Sequence, residues 1–267
     1  MSERTWTTIE VVPEGRVTWV RFNRPEHNNS LGPGTVEEVF DALDAISRDD
    51  GTDVVVLTGN GRSFCPGADV GAASASVAAG QPAEPVLPPV ALYHSSTLLR
   101  EMPQVTVAAI NGACAGAGMA WASACDLRIA SSRARFATAL FSLGLASELG
   151  MVWTLQRDLG TSVAKELCFF PRKLDAAELR ALGYLHRVFD ADTFDADSRQ
   201  LVAELASRGS AAIRTLKADF VDAARLGLRE YIDVETPRHQ AFFTGDAAAG
   251  SRARLAARAQ EIGGASS

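Results

Sequence analysis

The 267-residue sequence contains no apolar run near the ~18 residues that a membrane-spanning helix needs. Met1 to Ile9 is polar and charged, without the apolar stretch of a secretory signal. The expectation is a cytoplasmic protein that does not engage a membrane. Cysteine is scarce. The four residues Cys65, Cys114, Cys125 and Cys168 show no C-x-x-C spacing and have no histidine close by. This argues against a zinc site or a disulfide framework and predicts buried free thiols. Basic excess is missing too: the net charge of −6 disfavours nucleic acid as the main partner. No repeat of fixed period is visible, and no G-x-S-x-G, H-E-x-x-H or Walker A pattern occurs. Gly112, Gly116 and Gly118 do not fit the G-x-G-x-x-G of a dinucleotide site.

What is present is a chain with 47% hydrophobic residues, enough for one substantial core. Thr8 to Val12 and Arg16 to Phe22 are rich in β-branched and aromatic residues, and Pro13-Glu14-Gly15 predicts the hairpin turn between them. Thr35 and Glu38 have capping-box spacing ahead of a helix with Val36, Val39, Phe40, Leu43 and Ile46 on one face. Asp53 to Thr58 and Val105 to Ile110 read as strands buried on both faces, and Leu127 to Ala130 as a weaker third. Asp175 and Glu178 suggest another cap, with Gly183 at the helix end. Arg208 to Gly227 and Glu230 to Phe243 are amphipathic candidates, and Gly263 to Ser267 reads as a frayed end. Gly71 to Val90 is rich in Ala, Ser, Gly and Pro, and is expected to be a mobile loop over a site. Strands early and helices late indicate an α/β chain with a helical C-terminal part. The division expected is residues 1–190 for the core and 191–267 for the helical region.

Two segments carry chemistry. Ser63-Phe64-Cys65-Pro66-Gly67-Ala68-Asp69-Val70 follows the first buried strand. Asn111-Gly112-Ala113-Cys114-Ala115-Gly116-Ala117-Gly118-Met119-Ala120 follows the second and runs into helix. Small residues at strand ends allow a ligand close to the backbone, and a helix N-terminus offers unpaired N–H groups. Two such N–H groups aimed at one oxygen would form an oxyanion hole. On spacing alone, tight turns explain the same pattern.

With Arg24-Pro25-Glu26-His27-Asn28-Asn29-Ser30-Leu31, these segments resemble the crotonase (enoyl-CoA hydratase/isomerase) superfamily. Ala109 through Ala130, Arg135-Phe136, Gly144-Leu145 and Leu174 to Glu178 extend the resemblance over nearly the whole chain. It implies a crotonase-like spiral of ββα units with a helical C-terminal trimerisation region, a homotrimer or hexamer, and an acyl-CoA ligand. It places the oxyanion N–H groups at Ala68 and Ala117. It sets CoA against Glu26, His27, Asn28 and the segment Gly67, Asp69, Val70. Gly116, Met119, Ala120, Trp121, Leu140 and Phe141 would line the acyl group. No metal or cofactor beyond the CoA moiety is implied.

The sequence departs from the family at the two glutamates that add water in hydratases. Their places hold Ala120 and Leu140. No acid lies between Gly112 and Cys125, or between Phe136 and Gly144, so a small register slip restores neither. Glu148 is the carboxylate near the place where the isomerases carry an acid. Apolar neighbours would raise its pKa and suit it to take and return a proton. The readings left open are a Δ3-Δ2 enoyl-CoA isomerase, an atypical hydratase or hydrolase using Glu148 or Glu84, and an acyl-CoA binder without turnover. Asp126 reads as structural, and Asp69 as a shaper of its loop. His27, His94, His186 and His239 read as surface or packing residues.

Overall fold

The computed structural model describes residues 5–69 and 87–244, together with residues 250, 253, 255, 256 and 259. Val70, Glu84, most of the Gly71–Val90 segment and the Gly263–Ser267 end lie outside these residues.

Strands β1 (Ile9–Glu14) and β2 (Val17–Phe22) form the expected hairpin, but with a tighter turn. Pro13 pairs with Thr18 and Glu14 with Val17, leaving only Gly15 and Arg16 between the strands. Pro13 therefore sits within β1 rather than in the turn. β1 is an edge strand, where a missing ladder donor is tolerated. Helix α1 (Thr35–Ser47) buries Val39, Leu43 and Ile46. The expected capping box does not form, because Gly34 is the cap. Thr35 Oγ1 accepts from the Gly32 N–H at 3.0 Å. Glu38 instead reaches the incoming chain, accepting from the Thr7 and Thr8 N–H groups at 2.9 and 2.8 Å.

Three successive stretches share one plan. β3 (Val54–Gly59) leads to β4 (Ser63–Cys65), and later to α2 (Ser95–Glu101). β5 (Val105–Ile110) leads to β6 (Ala113–Ala115) and α3 (Ala117–Ala124). β7 (Leu127–Ser131) leads to β8 (Arg135–Ala137), and then to α4 (Met151–Leu159) and α5 (Thr161–Phe169). In each, a long strand joins one sheet, a bend follows, and a short strand joins a second. The result is a spiral of ββα units. β9 (Leu174–Asp175), α6 (Ala176–Ala181) and β10 (Arg187–Phe189) complete the sheets. The large sheet has the order β1-β2-β3-β5-β7-β10 and is parallel except for β1; the small one runs β4-β6-β8-β9. Asp175 caps α6 as expected, accepting from the Glu178 N–H at 2.8 Å.

The unbroken apolar runs of β3 and β5 follow from burial on two faces. Val55, Leu57, Ala108 and Ile110 join α1, α2 and α3 in the main core. Val54, Val56, Val107 and Ala109 face the other way, into a second core with Phe194 and Val202 of α7 (Phe194–Ala206). That packing carries the first compact unit through Arg208, beyond the boundary at 190 expected from the sequence. The second unit, from Gly209, contains α8 (Ser210–Ala223) and α9 (Leu228–Thr244). Within it, Arg238 bonds Asp219 and Asp222 of α8 at 2.8 and 2.7 Å.

The four cysteines are free, and three of them are buried. No helix among the described residues is long and apolar enough to cross a membrane. No group of three or more His, Cys, Asp or Glu among them is arranged to hold a metal.

Candidate active site

The site is built where β3 and β5 bend into β4 and β6. Asn111 braces the bend. Its Nδ2 donates to the carbonyls of Gly59 at 3.0 Å, Gly61 at 2.9 Å and Ser63 at 3.3 Å. Asn29 does the same from the other side: its buried Nδ2 donates to the Asn60 and Ser63 carbonyls at 2.9 and 2.7 Å. Ser30 Oγ donates to Asp69 at 3.3 Å, and the Leu31 N–H donates to the Gly67 carbonyl at 2.8 Å. Three segments distant in sequence are thereby joined. Asn29 and Ser30 lay inside a recognised segment, but nothing in the sequence pattern marked them as braces. Their signal was short polar side chains beside strand ends, which bond main-chain groups within reach.

The Leu31–Gly67 bond belongs to a parallel bridge that pairs Leu31 with Ala68. In a parallel bridge the flanking residues make the bonds, so the Ala68 N–H projects away from Leu31. Ala68 is exposed on that side. Ala117 is the first residue of α3, with Gly116 as its cap, so its N–H has no partner within the helix. The two loops touch. A Cβ on Gly67 would lie 3.4 Å from the Ala117 nitrogen, and Gly67 has a φ of +85°. A Cβ on Gly118 would meet the Cys65 carbonyl oxygen at 2.0 Å, so this approach requires glycine.

Cys65 lies at the foot of both loops. Its sulfur is fully buried, which pushes the thiol up to about 12. The N–H groups of Gly67 and Gly118 face the sulfur and oppose that shift, while the Glu148 charge adds to it. The Glu148 charge therefore acts on Cys65 of β4, the strand that leads into the loop bearing Ala68. Glu148 is itself half-buried, and burial raises its pKa above the ordinary carboxylate value. It precedes α4 and bonds the Met151 N–H through its carbonyl at 3.0 Å. The α4 cap position belongs to Gly150, and no side chain caps the helix.

Strained backbone flanks the site. Ala139, before Leu140, has a φ of +59°, and Leu149, after Glu148, has a φ of +50°. Non-glycine residues rarely adopt these angles, which cost ~1–3 kcal/mol each and concentrate at functional sites. No sequence signal predicted them.

The other expected positions do not all fall together. Gly116, Ala120 and Leu140 gather at the loops: a Cβ on Gly116 would lie 3.9 Å from Leu140 Cδ2. Glu26 and His27 are exposed on a 3-10 turn, and the Asn28 side-chain Oδ1 accepts from Arg62 Nε at 2.8 Å. Met119 and Trp121 are fully buried in the core cluster, as Ala117 and Ala120 are. Trp121 stacks on Phe22 and donates to Ser95 Oγ at 2.9 Å. The reason is that all eight residues of α3 are buried. Phe141 is exposed and meets Phe169 edge-on. Asp126 accepts from the Thr106 N–H at 2.8 Å, a structural place. Of the histidines, His186 bonds the Arg128 N–H at 3.0 Å, and burial lowers its pKa.

A spiral of ββα units in which two strand-end loops meet defines an α/β protein of the crotonase type. The enoyl-CoA hydratase/isomerase family model matches residues 13–259, and the chain belongs to that family. It is 37% identical over 193 residues to the "Probable enoyl-CoA hydratase" of Mycobacterium tuberculosis, spanning 69% of this chain and 66% of that protein. It is 30% identical over 224 residues to the 1,2-epoxyphenylacetyl-CoA isomerase of Escherichia coli, spanning 83% of this chain and 85% of that protein. A Thermobifida fusca structure solved in complex with CoA superposes with a TM-score of 0.76 at 27% identity, covering 95% of each chain.

Proposed function

We propose that the protein shifts a double bond in an enoyl-CoA thioester, as a Δ3-Δ2 enoyl-CoA isomerase does. The observation that carries this reading is Glu148: a half-buried carboxylate with a raised pKa, whose charge acts on Cys65 at the foot of the loop that bears Ala68. The N–H groups of Ala68 and Ala117 receive the thioester oxygen as it becomes an enolate. Glu148 removes a proton from C2 of a 3-enoyl-CoA, and the electron pair moves into the dienolate. The same carboxylic acid returns the proton at C4. One carboxylate serves both carbons because they lie on one face of a short allylic system. A group that alternates between base and acid works best with a pKa moved toward neutrality, which is the direction given by burial. The side chains of Ala120 and Leu140 can neither hold a water nor transfer a proton, which favours isomerisation over hydration.

The turn that carries Glu26, His27 and Asn28, together with Gly67 and Asp69, is proposed to receive the CoA moiety. Relatives solved with CoA support an acyl-CoA ligand. No metal or further cofactor enters the proposed steps.

Replacing Glu148 by Gln tests the assignment. The expected result is a kcat lower by ~10²–10⁴-fold on a 3-enoyl-CoA with KM little changed. Full isomerase turnover by the variant sinks the reading. A second reading, hydration, is favoured by the hydratase names among the relatives. Turnover in heavy-oxygen water separates the two: isomerisation leaves the acyl product unlabelled, and hydration labels it.

A further inference from the structure

The pairing of β4 with β6 is irregular. Ser63 pairs with Ala113 and Cys65 with Cys114, so β4 advances two residues where β6 advances one. Such a bulge re-aims the side chains beside it. Here the re-aimed side chain is Cys65, which is fully buried. The N–H groups of Gly67 and Gly118 both face its sulfur. Gly67 directly precedes Ala68, and Gly118 directly follows Ala117. One atom thus meets the two segments that carry the proposed oxyanion donors. The glycines leave the room for this. A Cβ on Gly118 would lie 2.8 Å from the Cys65 Cβ, and one on Gly67 would lie 3.0 Å from the Ala115 carbonyl oxygen. Asn29 and Asn111 brace carbonyls within residues 59–63, upstream of the donors. The sulfur acts one residue away from each donor.

We propose that Cys65 is a positioning residue: its sulfur accepts from the Gly67 and Gly118 N–H groups together and so fixes the spacing of the Ala68 and Ala117 N–H groups around the enolate oxygen. The inference rests on the isomerase reading and adds a residue to it. Cys65 is not a second base or a nucleophile. Burial pushes its thiol up to about 12, so it stays protonated near neutral pH, and buried thiols are inert. Its role is geometric. A misplacement of about 1 Å can cost on the order of 10²-fold in rate. The spacing of the donors matters most once charge develops on the oxygen, so its loss falls on kcat and spares substrate binding.

Steady-state kinetics of the full chain with a 3-enoyl-CoA test this. Cys65→Ala and Cys65→Ser remove nearly the same volume, but only the serine hydroxyl still accepts from N–H groups. Cys65→Ala should lower kcat by ~10–100-fold with KM within about threefold of the wild type. Cys65→Ser should recover kcat to within about fivefold of the wild type. Cys125→Ala removes a buried sulfur at the other end of α3 and should leave kcat within about threefold. Wild-type kcat in Cys65→Ala overturns the inference. So do equal losses in Cys65→Ala and Cys65→Ser, or in Cys65→Ala and Cys125→Ala. A fall in kcat/KM that lies wholly in KM assigns Cys65 to ground-state binding and also overturns it. Amide hydrogen exchange reads the brace without turnover: the Gly67 and Gly118 N–H groups should exchange slowly in the wild type and in Cys65→Ser. Fast exchange at both in the wild type overturns the inference even where Cys65→Ala does not fold. A wild type that turns over no 3-enoyl-CoA overturns the isomerase reading instead, and amide exchange then decides on the brace.

Discussion

Partial burial strips water from the Glu148 carboxylate and raises its pKa, and two consequences follow. As the proposed base it must be ionised, so kcat/KM should fall as pH drops through its raised pKa. The inflection is expected above the ordinary carboxylate value and should vanish in Glu148→Gln, as read from a pH–rate profile. The second consequence concerns stability. A carboxylate whose pKa is higher in the folded chain than in the unfolded one stabilises the fold only while it is protonated. That contribution is present below the unfolded value and is lost as pH rises through the folded one. Glu148→Gln should therefore be more stable than the wild type at pH 7, with the gap closing toward pH 4, as followed by thermal unfolding. Ala139 makes a separate case. Glycine relieves ~1–3 kcal/mol of left-handed strain and loses ~0.5–1 kcal/mol to chain entropy. Ala139→Gly is expected to raise the Tm by about 2–4 °C. Glu148 was singled out in the sequence by its place near the isomerases' acid and by its apolar neighbours. The strain at Ala139 and Leu149 could not be foreseen, because both residue types ordinarily avoid positive φ.

Elements were legible where one local rule governs them. The runs at β3 and β5 and the Asp175 cap follow from burial and from side-chain geometry. Thr35 and Glu38 show the limit. Their spacing promised a capping box, but the carboxylate found two N–H groups and two hydroxyls at Thr7 and Thr8. That competing partner lies about thirty residues away, so local spacing could not reveal it. Helical periodicity likewise cannot report that α3 is enclosed on every side, so the full burial of Ala117 to Ala124 was not legible. The start of α3 offers a clean test of the proposed oxyanion donor. Proline is accepted at the first position of a helix and there removes only an N–H that the helix does not use. Ala117→Pro should retain the helical circular-dichroism signal and lose ~10²–10³-fold in kcat. Retained turnover would show that this N–H receives no developing charge.

At the scale of the whole molecule, the spiral was legible through the order of its segments, whereas the extent of the first unit was not. α7 packs on the sheet's second face, and its sequence reads like that of the helices after Gly209. Large apolar side chains also remain exposed on both units, Phe170 at 69% and Phe220 at 69% among them. Such surface commonly marks contacts between chains. We propose that copies associate as trimers or hexamers. Sedimentation should show this, and Phe170→Glu should shift the distribution toward monomer; a wild-type monomer at micromolar concentration would rule it out.

Asn111 has a consequence on a longer timescale. It precedes Gly112, and an asparagine before glycine is chemically perishable: the next backbone nitrogen can attack the amide and release ammonia. In the folded chain three carbonyls hold that amide in place. Once lost, it leaves a carboxylate facing the same three oxygens, a brace turned into a repulsion. The shelf life of the protein is thus tied to its fold. Each excursion to the unfolded state exposes Asn111 to ageing, and an aged chain returns to a bend that no longer closes.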